Sequence, residues 1–355
     1  MTTILVTGAG GPMGCNVTRS LRKAPEGYRL IGTDANPWHL PLGLTDEIYL
    51  IPPAKRIDDY LAALERIIAD EGVDVIFPTH PVEVRAISAH RDRLGVATHL
   101  PTHDAILCGQ NKYDSYTRWA EAGLPLPKTY LLGSPADIDR AFDGLSTRPV
   151  WVRGAGVPGA GIGVASLPCR DRKGALAWVE YWNGWGGMAA SEFLPGDNLT
   201  WLGVYKDGEL IATQTRERYE YVIPHVSPSG ITGAPAVSRT VSREDVNEIS
   251  EAAVPVVDPR PNGVYFVDLK GNDDGVPCIT EVNVGRFGTT IHFYTEAGFN
   301  FPRLYVELAR DQDPGLARVR NQLDEGLTWV RTLDCGPVLV RDPARFDVKE
   351  LDRWR

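Results

Sequence analysis

Residues 279–290, ITEVNVGRFGTT, place Glu281 and Asn283 two apart in an apolar segment that reads as a β-strand, with Arg286 just beyond it. On a strand, residues two apart share a face, so the carboxylate and the amide point one way while Thr280 and Val282 point the other. Upstream, NGVYFVDLKGNDDGVPC carries Asp268 in a second β-rich run, followed by the turn Asn272-Asp273-Asp274-Gly275. The two runs predict a hairpin that lays Asp268 near Glu281, in a register the spacing leaves open to one residue. Two carboxylates about 4 Å apart repel by about 4 kcal/mol at an effective dielectric of 20, so something positive must sit between them. Oxygen-only ligands from Asp268, Glu281 and Asn283 suit Mg²⁺ or Mn²⁺ better than zinc, and Mg²⁺ usually completes its shell with water and nucleotide phosphates. The alternative for this segment is a solvated strand face with Glu281 paired to Arg286.

A second group of residues suits phosphate. VWVRGAGVPGAGIGV sets Gly154, Gly156, Gly159, Gly161 and Gly163 behind a β-rich run ending at Arg153. Backbone N–H groups of such a loop can close on phosphate oxygens while the arginine supplies fixed charge; the alternative is a flexible surface hairpin. SEFLPGDN then predicts a strand ending at a hinge over Glu192, Phe193 and Leu194, with the polar pair Asp197 and Asn198 after a Pro-Gly turn. A hinge between domains offers the apolar slot and backbone donors that a planar adenine needs. Near the amino terminus, VTGAGGPMG spaces Gly8, Gly11 and Gly14 as in a dinucleotide-binding turn, with Asp34 closing the next strand. The matching dehydrogenase and epimerase families use a Tyr-x-x-x-Lys pair, and no tyrosine of this chain has a lysine four residues later. The other reading is that these glycines only make a tight strand-to-helix turn.

These residues must be held by a fold that changes class along the chain. The first hundred residues alternate short apolar runs with amphipathic stretches (TILVTGAG, a helix near Pro12 to Arg22, YRLIGTDA, IDDYLAALERIIADEG, VDVIFPTH), which predicts a parallel α/β sheet. From residue 190 onward, strands joined by turns such as Lys206-Asp207-Gly208 predict an antiparallel sheet. At 355 residues the chain accommodates two to three domains. A net charge of −9 argues against a nucleic-acid surface. There is no apolar run of membrane-spanning length and no signal segment, so no membrane partner and a cytoplasmic location are expected. Five scattered cysteines, never in C-x-x-C spacing, suggest neither disulfides nor zinc. The tail after Pro337 is charged and has no assigned place.

Taken in order, these motifs resemble the ATP-grasp ligases, most closely the carbamoyl phosphate synthase large-subunit branch, over roughly residues 1 to 335. VDVIFPTHPVEV resembles the last strand of the preceding domain, and NKYDSYTRWAEAGLPLPKTYLL the entry to the nucleotide domain. The resemblance implies an α/β and α+β chain: a Rossmann-like domain over residues 1–110, a small lid subdomain over 111–190, a large subdomain with the metal site over 191–335, and a tail over 336–355. It implies ATP and Mg²⁺ (or Mn²⁺) as cofactors. Lys112, Arg153, Gly159 and Gly161 would approach the phosphates; Glu192, Phe193, Leu194, Asp197 and Asn198 the adenosine; Asp268, Glu281 and Asn283 the metal. Asn198 stands where the family has a ribose glutamate, and Asp197 could substitute for it. SPSGITGAPAV (227–237) lacks the histidine of the branch's Pro-x-Gly-Ile-His-Thr-Gly stretch, which weakens bicarbonate as acceptor.

The implied reaction joins a small carboxylate to an amine or ammonia through an acyl phosphate, releasing ADP and phosphate. Arg286 would hold the oxyanion, displaced by one residue from the family position, and Arg216 with Arg218 would clamp a substrate carboxylate. The sequence carries neither a second synthetase half nor a glutaminase segment, so a specialised amide or peptide bond is expected rather than carbamoyl phosphate. His292 and His225 read as structural, the alternative being that they steer a proton from the amine, and Trp178, Trp182 and Trp185 at helical spacing read as core packing. A homodimer is compatible with the sequence. An NAD(P)-dependent epimerase or reductase and a nucleotide-binding protein without turnover remain the alternatives.

Overall fold

The structure is a computed structural model that describes residues 1–156, 165–230 and 234–333, and the backbone of 336–340. Its first part is a parallel sheet in the order β3-β2-β1-β4, built from β1 (Thr3–Thr7), β2 (Arg29–Asp34), β3 (Glu47–Leu50) and β4 (Val75–Pro78). The apolar run of β1 is buried throughout, as the interior strand of a parallel sheet must be. The helix predicted near Pro12 spans Pro12–Arg22, with proline in its first turn. The glycine turn that feeds it is closely packed. A Cβ on Gly10 would lie 2.0 Å from the carbonyl oxygen of His39, and one on Gly14 would lie 2.2 Å from that of Gly8. Chain packing therefore accounts for glycine at both positions.

The middle of the chain forms an antiparallel sheet in the order β5-β8-β6-β7: β5 (Thr129–Leu132), β6 (Val150–Gly154), β7 (Leu167–Cys169) and β8 (Met188–Ser191). Helices Pro135–Gly144 and Arg172–Tyr181 cover it, and their apolar faces share a separate core with Leu132, Val150, Val152 and Met188. The last part is a seven-stranded sheet in the order β13-β12-β9-β10-β11-β14-β15: β9 (Asn198–Lys206), β10 (Glu209–Tyr221), β11 (Pro235–Val241), β12 (Gly263–Gly271), β13 (Pro277–Val284), β14 (Thr328–Thr332) and β15 (Gly336–Val340). The outermost strand β15 takes up the start of the segment that the sequence left unplaced.

The central strands of this sheet are buried on both faces. Leu202, Val204, Val264 and Phe266 join one core with Ile4 and Val6; Leu199, Trp201, Tyr265 and Val267 join another with Leu5 and Ile31. Each strand thus inserts alternate residues into two cores. Where the polar residues begin at the ends of these strands, the same alternation carries them out over the open end of the first face. No helix of the described residues is long and apolar enough to cross a membrane.

Candidate functional site

The sheet register decides the site. Asp268 on β12 lies directly opposite Glu281 on β13, opposite Thr200 on β9 on its other side, and Thr200 in turn lies opposite Arg216 on β10. Cross-strand partners share a face, so Glu281, Asp268, Thr200 and Arg216 form one row across four strands. The next row on that face brings Lys270 opposite Asn198. Asn283, two residues from Glu281, continues the face on β13. A bulge at Thr280 sets this alignment, because Asp268 faces Glu281 while Leu269 faces Ile279. The Thr280 hydroxyl fixes the bulge by donating to the Asp268 carbonyl at 2.9 Å. Asn272 accepts from the amides of Asp274 and Val276 at 3.0 and 2.9 Å, which closes the β12–β13 turn.

The carboxylates are held by cations from three elements. Lys112, the first residue of helix Lys112–Glu121, bonds the Glu281 carboxylate. That helix is anchored by Asn111, which accepts from the Asp114 amide at 3.2 Å, and by Trp119, whose indole donates to Ala253 at 2.9 Å. Arg153, near the end of β6, donates to the Thr280 carbonyl at 2.5 Å. Burial disfavours the charged form of Glu281, but Lys112 and Arg153 outweigh it and hold the carboxyl well below the usual range. Asp268 accepts from the Thr200 hydroxyl at 2.8 Å and pairs with Arg218 at 3.4 Å. Arg286 donates to the side-chain oxygen of Asn283. Arg153 and Arg286 are both lowered from the ordinary arginine value by burial, against the pull of Glu281 and Asp268. Among the described residues no group of three or more His, Cys, Asp or Glu side chains is placed to hold a metal ion by itself. The oxygen donors here are the two carboxylates and the Asn283 amide.

Arg216 differs from its neighbours. It is only 4% exposed, its guanidinium bonds the Thr290 hydroxyl, and its Nε has no partner. Among the described residues no carboxylate lies within ion-pair distance of it. Burial lowers it from the ordinary arginine value. The buried hydroxyls of Tyr221 and Tyr294 are also without partners.

Two clefts meet over the row and share Ser166, Arg218, Asp268 and Glu281. The first, about 490 Å³, lies between the middle sheet and the ends of β9 and β12. Lys112, Arg153 and Lys270 bring charge to it, and Pro127, Pro149, Trp151, Phe193 and Leu194 line it with apolar surface. The Trp151 and Phe193 rings lie 6.3 Å apart. The predicted hinge follows β8 directly: Glu192 exchanges bonds with the Lys128 backbone, at 3.0 Å through its amide and 2.9 Å through its carboxylate, and the Phe193 amide donates to Thr147 at 2.8 Å. The second cleft, about 740 Å³, is lined by Arg216, Asn283, Arg286, Ser227, Pro228 and Pro235 among others.

Of the predicted residues, Lys112, Arg153, Glu192, Phe193, Leu194, Asn198, Asp268 and Glu281 converge on the first cleft, and Arg216, Asn283 and Arg286 on the second. Asp197 does not join them. Its carboxylate turns to Arg243 at 3.6 Å, and its backbone binds Gly271. Gly159 and Gly161 lie outside the described residues. His292 is structural, bonded to Ser20 at 3.2 Å and Glu296 at 2.9 Å. Lys270 and Tyr221 line the first cleft and were not anticipated. Lys270 had a signal, because it follows Asp268 by two residues on one strand. Trp178 and Trp185 pack on the core as expected, but the helix ends at Tyr181, and Trp182 lines the second cleft together with the outer side of Trp178.

No family model matches the chain, and no curated protein matches it either. Solved structures do. An L-amino acid ligase from Bacillus licheniformis superposes with a TM-score of 0.68 at 14% identity, over 93% of this chain and 79% of that one. N5-carboxyaminoimidazole synthetase from Staphylococcus aureus gives 0.68 at 14% identity, over 93% and 82%. The biotin carboxylase domain of Hydrogenobacter thermophilus 2-oxoglutarate carboxylase, solved with MgADP and bicarbonate, gives 0.69 at 14% identity, over 93% and 73%. The parallel sheet followed by two antiparallel sheets with a cleft between them is the fold of the ATP-grasp ligases.

Proposed function

We propose that the chain is an ATP-dependent ligase that joins a carboxylate to an amine through an acyl phosphate, releasing ADP and phosphate. The observation that carries this reading is the row Glu281–Asp268–Thr200–Arg216, set where an apolar cleft with a cationic end meets a second, arginine-lined cleft. Arg153, where most ATP-grasp enzymes have lysine, favours the branch close to the carbamoyl phosphate synthase large subunit.

A carboxylate is a poor electrophile because expelling oxide is unfavourable. Its oxygen therefore attacks the γ-phosphoryl group of ATP, and an amine then displaces phosphate from the acyl phosphate. Phe193, Leu194 and Trp151 offer the slot for adenine, and Lys112, Arg153 and Lys270 offer positive charge to the phosphates. The donor set of Asp268, Glu281 and Asn283 is oxygen-only and fits Mg²⁺ or Mn²⁺, which when bound would offset charge on the phosphates. Arg216, buried without an anionic partner, is suited to the carboxylate of the substrate, since an isolated buried guanidinium is costly until paired. Arg286 lies in the same cleft and would stabilise the oxyanion of the displacement step. The glycine-rich loop would exclude water from the acyl phosphate.

The test is a coupled ADP-release assay over mixtures of carboxylic acids and amines, repeated with ¹⁸O-labelled carboxylate. Label in the released phosphate supports the acyl phosphate; product without labelled phosphate refutes it.

A further inference from the structure

The second cleft has a wall that the reaction above does not use. Trp178, Tyr181 and Trp182, at the end of helix Arg172–Tyr181, all line it. The Trp178 and Tyr181 rings stack with centroids 5.9 Å apart and planes 11° apart. Trp182 stands edge-on to both, at 5.8 and 5.6 Å. Tyr181 is 77% exposed and Trp182 38%, so this aromatic surface is available rather than covered by the protein. Trp178 anchors this surface, since it also packs on the core of the middle sheet. At the other end of the cleft lie Arg286 and Arg216, the latter a buried guanidinium with an unsatisfied Nε. The cleft is thus cationic where it meets Asp268 and Glu281, and aromatic where it meets the lid. At about 740 Å³ it falls in the size range of pockets that enclose a drug-sized molecule, far more than ammonia or bicarbonate requires.

We propose, resting on the ligase reading for the cleft's role, that the carboxylate substrate is a ring-bearing acid. Its carboxylate is taken by Arg216 and Arg286, and its planar ring lies against Trp178, Tyr181 and Trp182. Offset or edge-on contact with an aromatic ring adds attraction beyond the area buried, and aliphatic acids of similar length do not obtain it.

The experiment is calorimetric titration of the full chain with 3-phenylpropanoate and with pentanoate, with and without a non-hydrolysable ATP analogue. The expected result is binding of 3-phenylpropanoate about ten-fold tighter than pentanoate. The Tyr181→Ala/Trp182→Ala double variant, which removes two exposed side chains, weakens 3-phenylpropanoate about ten-fold and leaves pentanoate within about two-fold. Trp182→Phe retains most of the preference. Equal affinities for the two acids, equal losses in the double variant, or binding of neither acid overturns the proposal. The ligase reading fails separately: ring-selective binding with no ADP released for any amine leaves the ring site standing, whereas ADP release without ring preference leaves only the ligase standing.

Discussion

Replacing Arg216 by methionine separates stability from function. The guanidinium is 4% exposed, touches the Thr290 hydroxyl, and shares its strand face with Arg218 two residues on. Two residues along a strand span about 7 Å, and like charges at that distance repel by about 2 kcal/mol at an effective dielectric of 20. Asp268, which offsets this, is already paired with Arg218 at 3.4 Å. The unliganded fold therefore carries a desolvated cation with little compensation. Replacing even a paired buried charge by apolar side chains of similar volume is often neutral or stabilising, by up to about 4 kcal/mol, and an unpaired cation has less compensation to lose. We expect Arg216→Met to raise unfolding stability by about 1–3 kcal/mol in a denaturant titration without ligands. The same variant raises the KM for the carboxylate by about a hundred-fold, the loss of a charge-assisted bond worth about 3 kcal/mol, while the KM for ATP moves little. A variant less stable than the parent, or one with an unchanged carboxylate KM, refutes the assignment of Arg216 as an anion holder.

Glu281→Gln should lower ADP release by more than about a hundred-fold, read in the coupled assay at saturating Mg²⁺. Because the folded protein holds Glu281 well below 4.5, its stabilising contribution is present above that pH and is lost as pH falls towards the folded value, so the variant should flatten the acid limb of the stability curve. Glu83 behaves oppositely. Burial raises its carboxyl from 4.5 to about 7, against hydrogen bonds from Thr7 and Tyr60, so the fold binds the proton more tightly than the unfolded chain does. Stability should fall between about pH 4.5 and 7 by roughly 3 kcal/mol, and Glu83→Gln should remove that slope in urea titrations across the window. Gly109→Ala would put a Cβ 2.3 Å from Val284 on β13 and should cost about 1–3 kcal/mol, read from the denaturation midpoint.

The β12–β13 hairpin was legible because Asn272-Asp273-Asp274-Gly275 is turn chemistry between two alternating runs, and the nearness of Asp268 to Glu281 followed from it, with the register open to one residue. The bulge at Thr280 that sets the register was not, since a threonine on a strand gives no sign of lacking a partner. Arg218 was visible as a candidate clamp, but its pairing with Asp268 spans two strand neighbours and depends on the β9–β10 register. The parallel sheet was readable from its buried runs, including the helix at Pro12–Arg22. The orientation of Asp197 was not legible, because a polar residue after a Pro-Gly turn can face either way, and in the fold its carboxylate pairs with the distant Arg243. Of the three tryptophans only Trp182 departs from core packing, because periodicity assumes a continuing helix and this one stops at Tyr181.

Asp268, Glu281 and Asn283 are proposed to hold a divalent cation at the junction of the two clefts. This proposal is tested most directly by anomalous diffraction from crystals grown with Mn²⁺ and a non-hydrolysable ATP analogue. A manganese peak is expected within bonding distance of those three side chains, with the adenine beside Phe193 and Leu194. Manganese density elsewhere, with Lys112 and Arg218 still seated on the carboxylates, would contradict it.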